Sequence, residues 1–373
     1  MTSTTQTKAR PAATHPRHAV FHPLCVADVE RLTDDAVAIT FDVPEELAED
    51  YRFVQGQHLT VRTDLAGDDV RRNYSICAPA GSGRLRIAVK RLEGGAFSAY
   101  ALERLQPGDT LEVMTPTGRF FTELDPTARK HHCCIAAGSG ITPLLSIVAT
   151  TLEAEPHSRV TLLYANRTSR TVMFLEELED LKDRFPDRFH LVHVLSREPQ
   201  EVEMFSGRLD GERLRRMLDT ILPPDTVDEW FLCGPYEMVT QLRDTLTESG
   251  VDRRHVHAEL FHVGDTPPRA RRTEVPQELA EGAEVTIVLD GRRSQFRLGA
   301  DGKSVLEAAL DVRSDAPFAC KGGVCGTCRA KVLEGSVEMD QNWALEPEEV
   351  ERGYVLTCQS HPSTEKVVLD YDA

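Results

Sequence analysis

The sequence predicts a multidomain chain: an antiparallel β-barrel, an α/β domain built on a parallel sheet, and a C-terminal α+β domain. Three observations predict it. Between residues 21 and 125, short apolar runs are punctuated by Gly and Pro, the pattern of a small antiparallel barrel. Between 126 and 262, apolar runs ending in Gly, Asn or Ser alternate with amphipathic stretches, which implies a parallel sheet covered on both faces. Residues 263–282 are rich in Pro, charge and small side chains and read as a linker. The last part, 283–373, opens on a hairpin signal at Asp290-Gly291.

Each element follows from its local pattern. Residues 1–20 carry basic and Thr residues but no apolar stretch, so they read as a disordered tail and not as a secretory signal. VAITFDV, HLTVRT, RRNYSI, RLRIAVK and TLEVMTP are the barrel strands, with one short helix at Ala96 to Arg104. CCIAAG, VTLLYAN, HLVHVLS and EWFLCG are strands of the parallel sheet, and PLLSIVATTLEAE and MFLEELEDLKDRF are helices between them. EVTIVLDGRRSQFRL gives two alternating strands about the final hairpin turn.

Composition narrows the function classes. A chain of 373 residues with 40% hydrophobic and 28% charged residues is that of a soluble globular protein of two or three domains. No apolar run approaches the roughly 18 residues of a membrane span. A net charge of −17 argues against nucleic acid, which needs a basic face. Nine cysteines, an odd number, fit reduced thiols in the cytoplasm better than a disulfide framework. From Glu334 to Ala373, ten acidic residues face only Arg352 and Lys366. Such a run is either a solvated surface or a docking face for a basic partner.

Three cysteines fall within CKGGVCGTC, residues 320–328. Cys320, Cys325 and Cys328 have the spacing C-x4-C-x2-C, and Cys358 follows at the end of YVLTC. This is the spacing of a plant-type [2Fe–2S] cluster. One loop wraps a small anionic cluster, and Gly322, Gly323 and Gly326 permit the close approach and unusual φ values required. The alternative is zinc, which draws its ligands from two C-x2-C pairs; only one such pair is present here. Cys25, Cys77, Cys133, Cys134 and Cys233 are not expected to be ligands. HHCC at 131–134 looks like a metal motif, but neighbouring strand residues face opposite ways, so a buried strand is expected.

A cluster needs an electron source. GSGITP follows a strand and opens a helix, so Gly138, Gly140 and Thr142 are placed to bind a pyrophosphate at a helix N-terminus; a plain tight turn would explain the same string. The next strand ends in YANRTSR, where Arg167 and Arg170 replace the acidic residue of an NAD site. Guanidinium groups suit the 2′-phosphate of NADPH, although both could be ordinary surface arginines. A nicotinamide gives two electrons together and the cluster takes one, so a flavin is expected between them. RRNYS offers Arg72 for its phosphates, Tyr74 for its ring and Ser75 for its N5 region, and GGAFS offers Gly95 and Ser98 at a helix start.

RRNYS, GGAFS, GSGITP, CGP at 233–235 and AELF at 258–261 occur in the order seen in ferredoxin–NADP reductase-like flavoproteins. The whole chain resembles such a reductase followed by a plant-type ferredoxin domain of β-grasp fold. YRFVQGQHLT, AAGSGITP, YANRTS, ACKGGVCGTC and GYVLTCQ are most similar to the reductase subunits of phenylacetyl-CoA epoxidase complexes. The resemblance implies FAD, NADPH and a [2Fe–2S] cluster as cofactors, and the di-iron oxygenase subunits of that complex as partners. It also implies that Ser75, Cys233 and Glu259 lie along the hydride path and that Phe261 covers the flavin. For Cys233, Glu259 and Phe261, simple packing is the competing explanation. A reductase serving a steroid or ring-hydroxylating oxygenase shares the same architecture, and a zinc-binding protein is the rival from another class. Reductases that end at this point often place a terminal aromatic on the flavin, whereas Phe261 is followed by the linker.

Overall fold

Thirteen residues that the alternation does not mark, Phe21–Thr33, form the longest barrel strand, β1. The computed structural model describes residues 20–65, 67–262, 282–299 and 302–373. The expected tail and linker lie outside the described residues, apart from Val20 and Gly282. β1 escapes a period-2 reading because register shifts between Val26 and Asp28 and between Arg31 and Thr33 break the alternation. Leu24 and Val26 nonetheless enter the core.

The barrel continues through β2 (Ala36–Asp42), β3 (His58–Leu65), β4 (Asp68–Ser75), β5 (Leu85–Lys90) and β6 (Thr110–Met114). The six strands run in the order β4-β3-β6-β1-β2-β5. A bridge between Ile76 and Ile87 links the two ends of that order. Helix α1 (Ala96–Glu103) buries Phe97 against the barrel core.

The α/β part orders its five parallel strands β11-β10-β7-β8-β9. They are β7 (His131–Ala137), β8 (Arg159–Asn166), β9 (Phe189–Leu195), β10 (Glu229–Pro235) and β11 (Val256–His262). HHCC is the buried start of β7, and its two cysteines part as strand geometry requires. Cys134 packs with α2 (Ile141–Ala154) and α3 (Leu175–Arg184), and Cys133 with α4 (Gly211–Thr220) and α5 (Tyr236–Glu248).

The C-terminal part opens on the expected hairpin, β12 (Ala283–Leu289) and β13 (Arg292–Leu298). Asp290 and Gly291 take φ values of 56° and 66°, the pair of left-handed residues that a type I′ turn needs. Helix α6 (Val305–Val312) and strands β14 (Arg329–Glu334), β15 (Val337–Met339), β16 (Tyr354–Leu356), β17 (Ser360–Pro362) and β18 (Lys366–Asp370) complete it, with α7 (Pro347–Glu351) before β16. The main sheet, β13-β12-β18-β14-β16, is mixed: β12 and β18 run parallel between antiparallel neighbours, a β-grasp. No helix among the described residues is long and apolar enough to cross a membrane.

Barrel and α/β part share one core, in which Ala36, Ala38 and Ala88 meet Leu145 and Ile147. Arg86 on β5 staples the seam, with ion pairs to Glu30 at 2.6 Å and to Glu177 on α3 at 2.8 Å. Its side chain is 3% exposed while both carboxylates reach solvent, so removing it strands no buried charge. Arg86→Ala is therefore expected to cost about 2 kcal/mol, less than the loss of one partner from a fully buried pair; urea unfolding measures it.

Candidate functional site

The carboxyl ends of the parallel strands point at the barrel. After β7 the chain turns through Gly138–Gly140 into α2. A Cβ on Gly140 would stand 2.1 Å from the Cys233 carbonyl oxygen, so only glycine lets this loop lie against the end of β10. The Thr142 hydroxyl donates to the Ser139 carbonyl at 3.0 Å and closes the turn. Arg167 and Arg170 are exposed just beyond β8. Between them Ser169 donates from N and Oγ to Glu198 Oε2 at 2.9 and 3.0 Å.

Ser75, Cys233 and Glu259 come together. Ser75 ends β4, and its hydroxyl donates to Glu259 Oε2 at 3.3 Å across the domain boundary. Cys233 and Glu259 are register partners on β10 and β11. Burial pushes the Cys233 thiol well up, and the Glu259 charge adds to the rise, so the thiol stays protonated. Burial also pushes Glu259 up to about 7, a rise that the Ser75 hydrogen bond only partly offsets. His58, register partner of Ser75 on β3, lines the same space; burial lowers it to about 4 and keeps it neutral. No motif marks His58, whose only signal is its place opposite Ser75.

The remaining barrel residues surround this point. Tyr74 lies 5.4 Å from the Phe97 ring in a tilted contact, and burial pushes its phenol above the usual range. Arg72 is exposed, with Nη1 donating to the Arg71 carbonyl at 2.7 Å. Gly95 caps α1, while the Ser98 hydroxyl accepts from Leu92 N and donates to the Gly95 carbonyl. Ser98 thus shapes the turn. Phe261, two residues past Glu259, is half-buried against the core shared by the two parts.

In the cysteine loop, Cys320 is exposed, Cys325 half-buried, and Cys328 and Cys358 buried. Cys358 arrives in the 3-10 turn Thr357–Gln359 after β16. The thiols interact as two neighbouring pairs, Cys320 with Cys325 and Cys328 with Cys358. A binuclear cluster has two irons, each with room for two thiolates, so this donor set fits [2Fe–2S]. Gly323 and Gly326 take positive φ, and Gly322 N donates to the Cys320 sulfur at 3.3 Å. Gln359 Nε2 pins the Lys321 carbonyl at 2.8 Å, and the Gly323 carbonyl accepts from Trp343 N at 3.0 Å.

All three parts border one cleft of about 1000 Å³, lined among others by His58, Phe120, Tyr236, Glu259, Cys325 and Trp343. An aromatic ring, a hydroxyl and a cation on β4, a helix start at Gly95 and a glycine loop at α2 fit a flavin dinucleotide beside a nicotinamide nucleotide.

Comparison with known proteins agrees. Family models match for an oxidoreductase FAD-binding domain at residues 23–122, an oxidoreductase NAD-binding domain at 134–244, and a 2Fe-2S iron-sulfur cluster binding domain at 287–363. A 1,2-phenylacetyl-CoA epoxidase subunit from Escherichia coli K12 is 46% identical over 95% of this chain and 98% of its own length. This chain belongs to that family of oxygenase reductases. The ferredoxin reductase component of 3-ketosteroid-9-alpha-monooxygenase from Rhodococcus rhodochrous is 33% identical over 93% of this chain and 96% of its own. The crystal structure of phthalate dioxygenase reductase, 26% identical, superposes with a TM-score of 0.57 over 94% of this chain and 98% of that one. The chain is an oxidoreductase that uses FAD, a nicotinamide nucleotide and a [2Fe–2S] centre to pass electrons to an oxygenase.

The raised Glu259 acid has a measurable sign. Between its ordinary value of 4.5 and about 7, the folded reductase holds a proton that the unfolded chain has lost. Stability is therefore complete below that window and falls as pH rises through it. Glu259→Gln should abolish this component, so urea midpoints at about pH 5 and about pH 8 should differ less in the variant than in the wild type.

Proposed function

We propose that this chain is the reductase component of a phenylacetyl-CoA epoxidase complex, taking electrons from NADPH and delivering them to the di-iron oxygenase subunits. The observation that carries electron transfer is the meeting of Ser75, Cys233 and Glu259 where barrel and parallel sheet join, with Glu259 lining a cleft that the cluster loop also borders. The full-length 46% identity to the Escherichia coli protein, against 33% for the steroid reductase component, supports the choice of oxygenase. The nine free cysteines support a reducing, cytoplasmic setting. Exposed Glu346, Glu348 and Glu351 on and beside α7 support a basic docking surface on the partner.

When bound, the flavin converts the hydride of the nicotinamide into single electrons that the cluster carries onward. Arg72 and the α1 start at Gly95, shaped by Ser98, hold the FAD phosphates. Tyr74 and Phe261 flank the flavin ring, and Ser75 hydrogen-bonds at its N5 edge. Gly138, Gly140 and Thr142 form the pyrophosphate loop of the nicotinamide nucleotide, and Arg167 and Arg170 hold its 2′-phosphate. Cys233, a neutral thiol, packs beside the nicotinamide. Glu259, raised to about 7 by burial, takes up and releases a proton near neutral pH while its Oε2 accepts from Ser75. Cys320, Cys325, Cys328 and Cys358 ligate the cluster.

Reconstitution with purified oxygenase subunits tests the assignment. NADPH consumption should depend on phenylacetyl-CoA; turnover only with a steroid oxygenase would redirect the assignment to that system. Replacing Arg167 and Arg170 together with Ala should raise the KM for NADPH about tenfold, ~1.4 kcal/mol, and leave that for NADH unchanged. Cys358→Ser should lose the visible absorption of the cluster while NADPH still bleaches the flavin, because the fourth ligand lies in a different domain from the flavin site.

A further inference from the structure

The cluster loop touches the barrel through a contact that the cofactor roles leave unexplained. Asn73, between Arg72 and Tyr74 on β4, donates from Nδ2 to Thr327 Oγ1 at 3.0 Å, across 254 positions of sequence. The other end of the amide is fixed, since Asn73 Oδ1 accepts from Thr60 Oγ1 at 2.8 Å. Thr60, on β3, is fully buried. Thr327 lies between two of the ligating cysteines, and its Oγ1 stands 3.2 Å from Cys325 Sγ. Beside this contact the Arg71 guanidinium, held by Asp69, covers the Phe318 ring at 4.0 Å. The strand that carries the flavin motif and the loop that carries the cluster ligands are thus joined side chain to side chain.

The direction of each hydrogen bond follows from the donor inventory. A metal-bound cysteine is a thiolate without a proton, so the Cys325 sulfur can only accept. The Thr327 oxygen already accepts from Asn73, and its single proton is left for the sulfur. We propose that Thr60, Asn73 and Thr327 form a hydrogen-bond relay through which the barrel holds the cluster loop in place and raises the reduction potential of the cluster at Cys325. Asn73 and Thr327 are positioning residues in this relay. The inference rests on the flavin and cluster reading above.

Its physical basis is that hydrogen bonds to cluster sulfurs favour the reduced, more negative form. It has a consequence for coupling: the potential depends on docking. Thr327 is oriented by an amide that belongs to another domain, so a ferredoxin part lifted from the barrel loses the orienting partner. The cluster then accepts an electron most readily when it sits against the strand that supplies it.

Redox titration of the holoprotein, with the cluster followed by electron paramagnetic resonance and the flavin by absorbance, tests the relay. Asn73→Ala and Thr327→Val should each shift the partition of one electron about tenfold toward the flavin, a fall of about 59 mV in cluster potential. The double variant should fall no further than Thr327→Val alone, because members of one relay are not additive. Thr327→Ser, which keeps the hydroxyl, should hold the wild-type potential. In stopped flow, NADPH should bleach the flavin of Asn73→Ala at the wild-type rate, with cluster reduction slowed. Should Thr327→Val fail to assemble its cluster, Asn73→Ala, outside the cluster loop, carries the measurement. Unmoved potentials in a protein that holds both cofactors overturn the relay alone, as does an additive double variant. A wild-type protein that binds flavin but no iron overturns the cluster reading, and the relay with it.

Discussion

The hydrogen bond from Ser75 to Glu259 is the constraint on which the arrangement of this reductase depends. It joins the last residue of a barrel strand to a residue of the outermost parallel strand, 184 positions away. Neither domain holds this site alone. The barrel supplies an aromatic, a hydroxyl and a cation within a few positions of β4, and the parallel sheet supplies a glycine loop, a buried thiol and a carboxyl at its strand ends. The shared core beneath them, which holds the small barrel residues Ala36, Ala38 and Ala88 in one cluster with side chains of α2, allows the two to approach closely enough for the bond to form. Burial then fixes the chemistry at the junction. A carboxyl raised to about 7 beside a thiol raised much further gives a junction whose thiol is neutral and whose carboxyl is balanced between its two protonation states at neutral pH.

The charge on the C-terminal segment is divided between two uses. Glu349, inside the acidic run, ion-pairs with Arg119 at the end of the barrel and with Arg329 beside the cysteine loop. That residue is spent on holding domains together, and a reading of the run as one uniform face is too simple. Its neighbours Glu346, Glu348 and Glu351 remain exposed. One short helix therefore presents acid to the interior seam and to solvent on different sides, which a net charge cannot reveal.

The sequence made local chemistry legible and left distant contacts unread. C-x4-C-x2-C pointed to the cluster because its three cysteines lie on one loop, where spacing is geometry. The Asp290-Gly291 turn was legible because both residues must be left-handed. HHCC resolved into two opposed faces by strand alternation alone. β1 was missed because bulges scramble its period, and α4 because Leu214, Met217 and Leu218 form a thin stripe among charges. His58, Asn73 and Thr327 were missed for a different reason. His58 meets Ser75 17 positions away and Asn73 meets Thr327 254 positions away, and nothing in a local window distinguishes an Asn that reaches another domain from one that faces water.

Among the described residues, the seam between the ferredoxin part and the rest includes polar and aromatic side-chain contacts. Asn73 meets Thr327, Arg119 meets Glu349, Arg71 covers Phe318, and Tyr236 meets Trp343 edge-on at 4.6 Å. Polar contacts of this kind give orientation more than affinity. A covalent tether changes the arithmetic, because it makes docking intramolecular and supplies a high effective concentration without added contact area. The seam can then be specific and weak together. Specificity places the cysteine loop against the flavin strand, and weakness is compatible with undocking, as expected of interfaces within a chain that resemble transient ones. Fusion of the domains and the orienting contacts of the seam are thus two sides of one solution: the chain supplies proximity, and the side chains supply register.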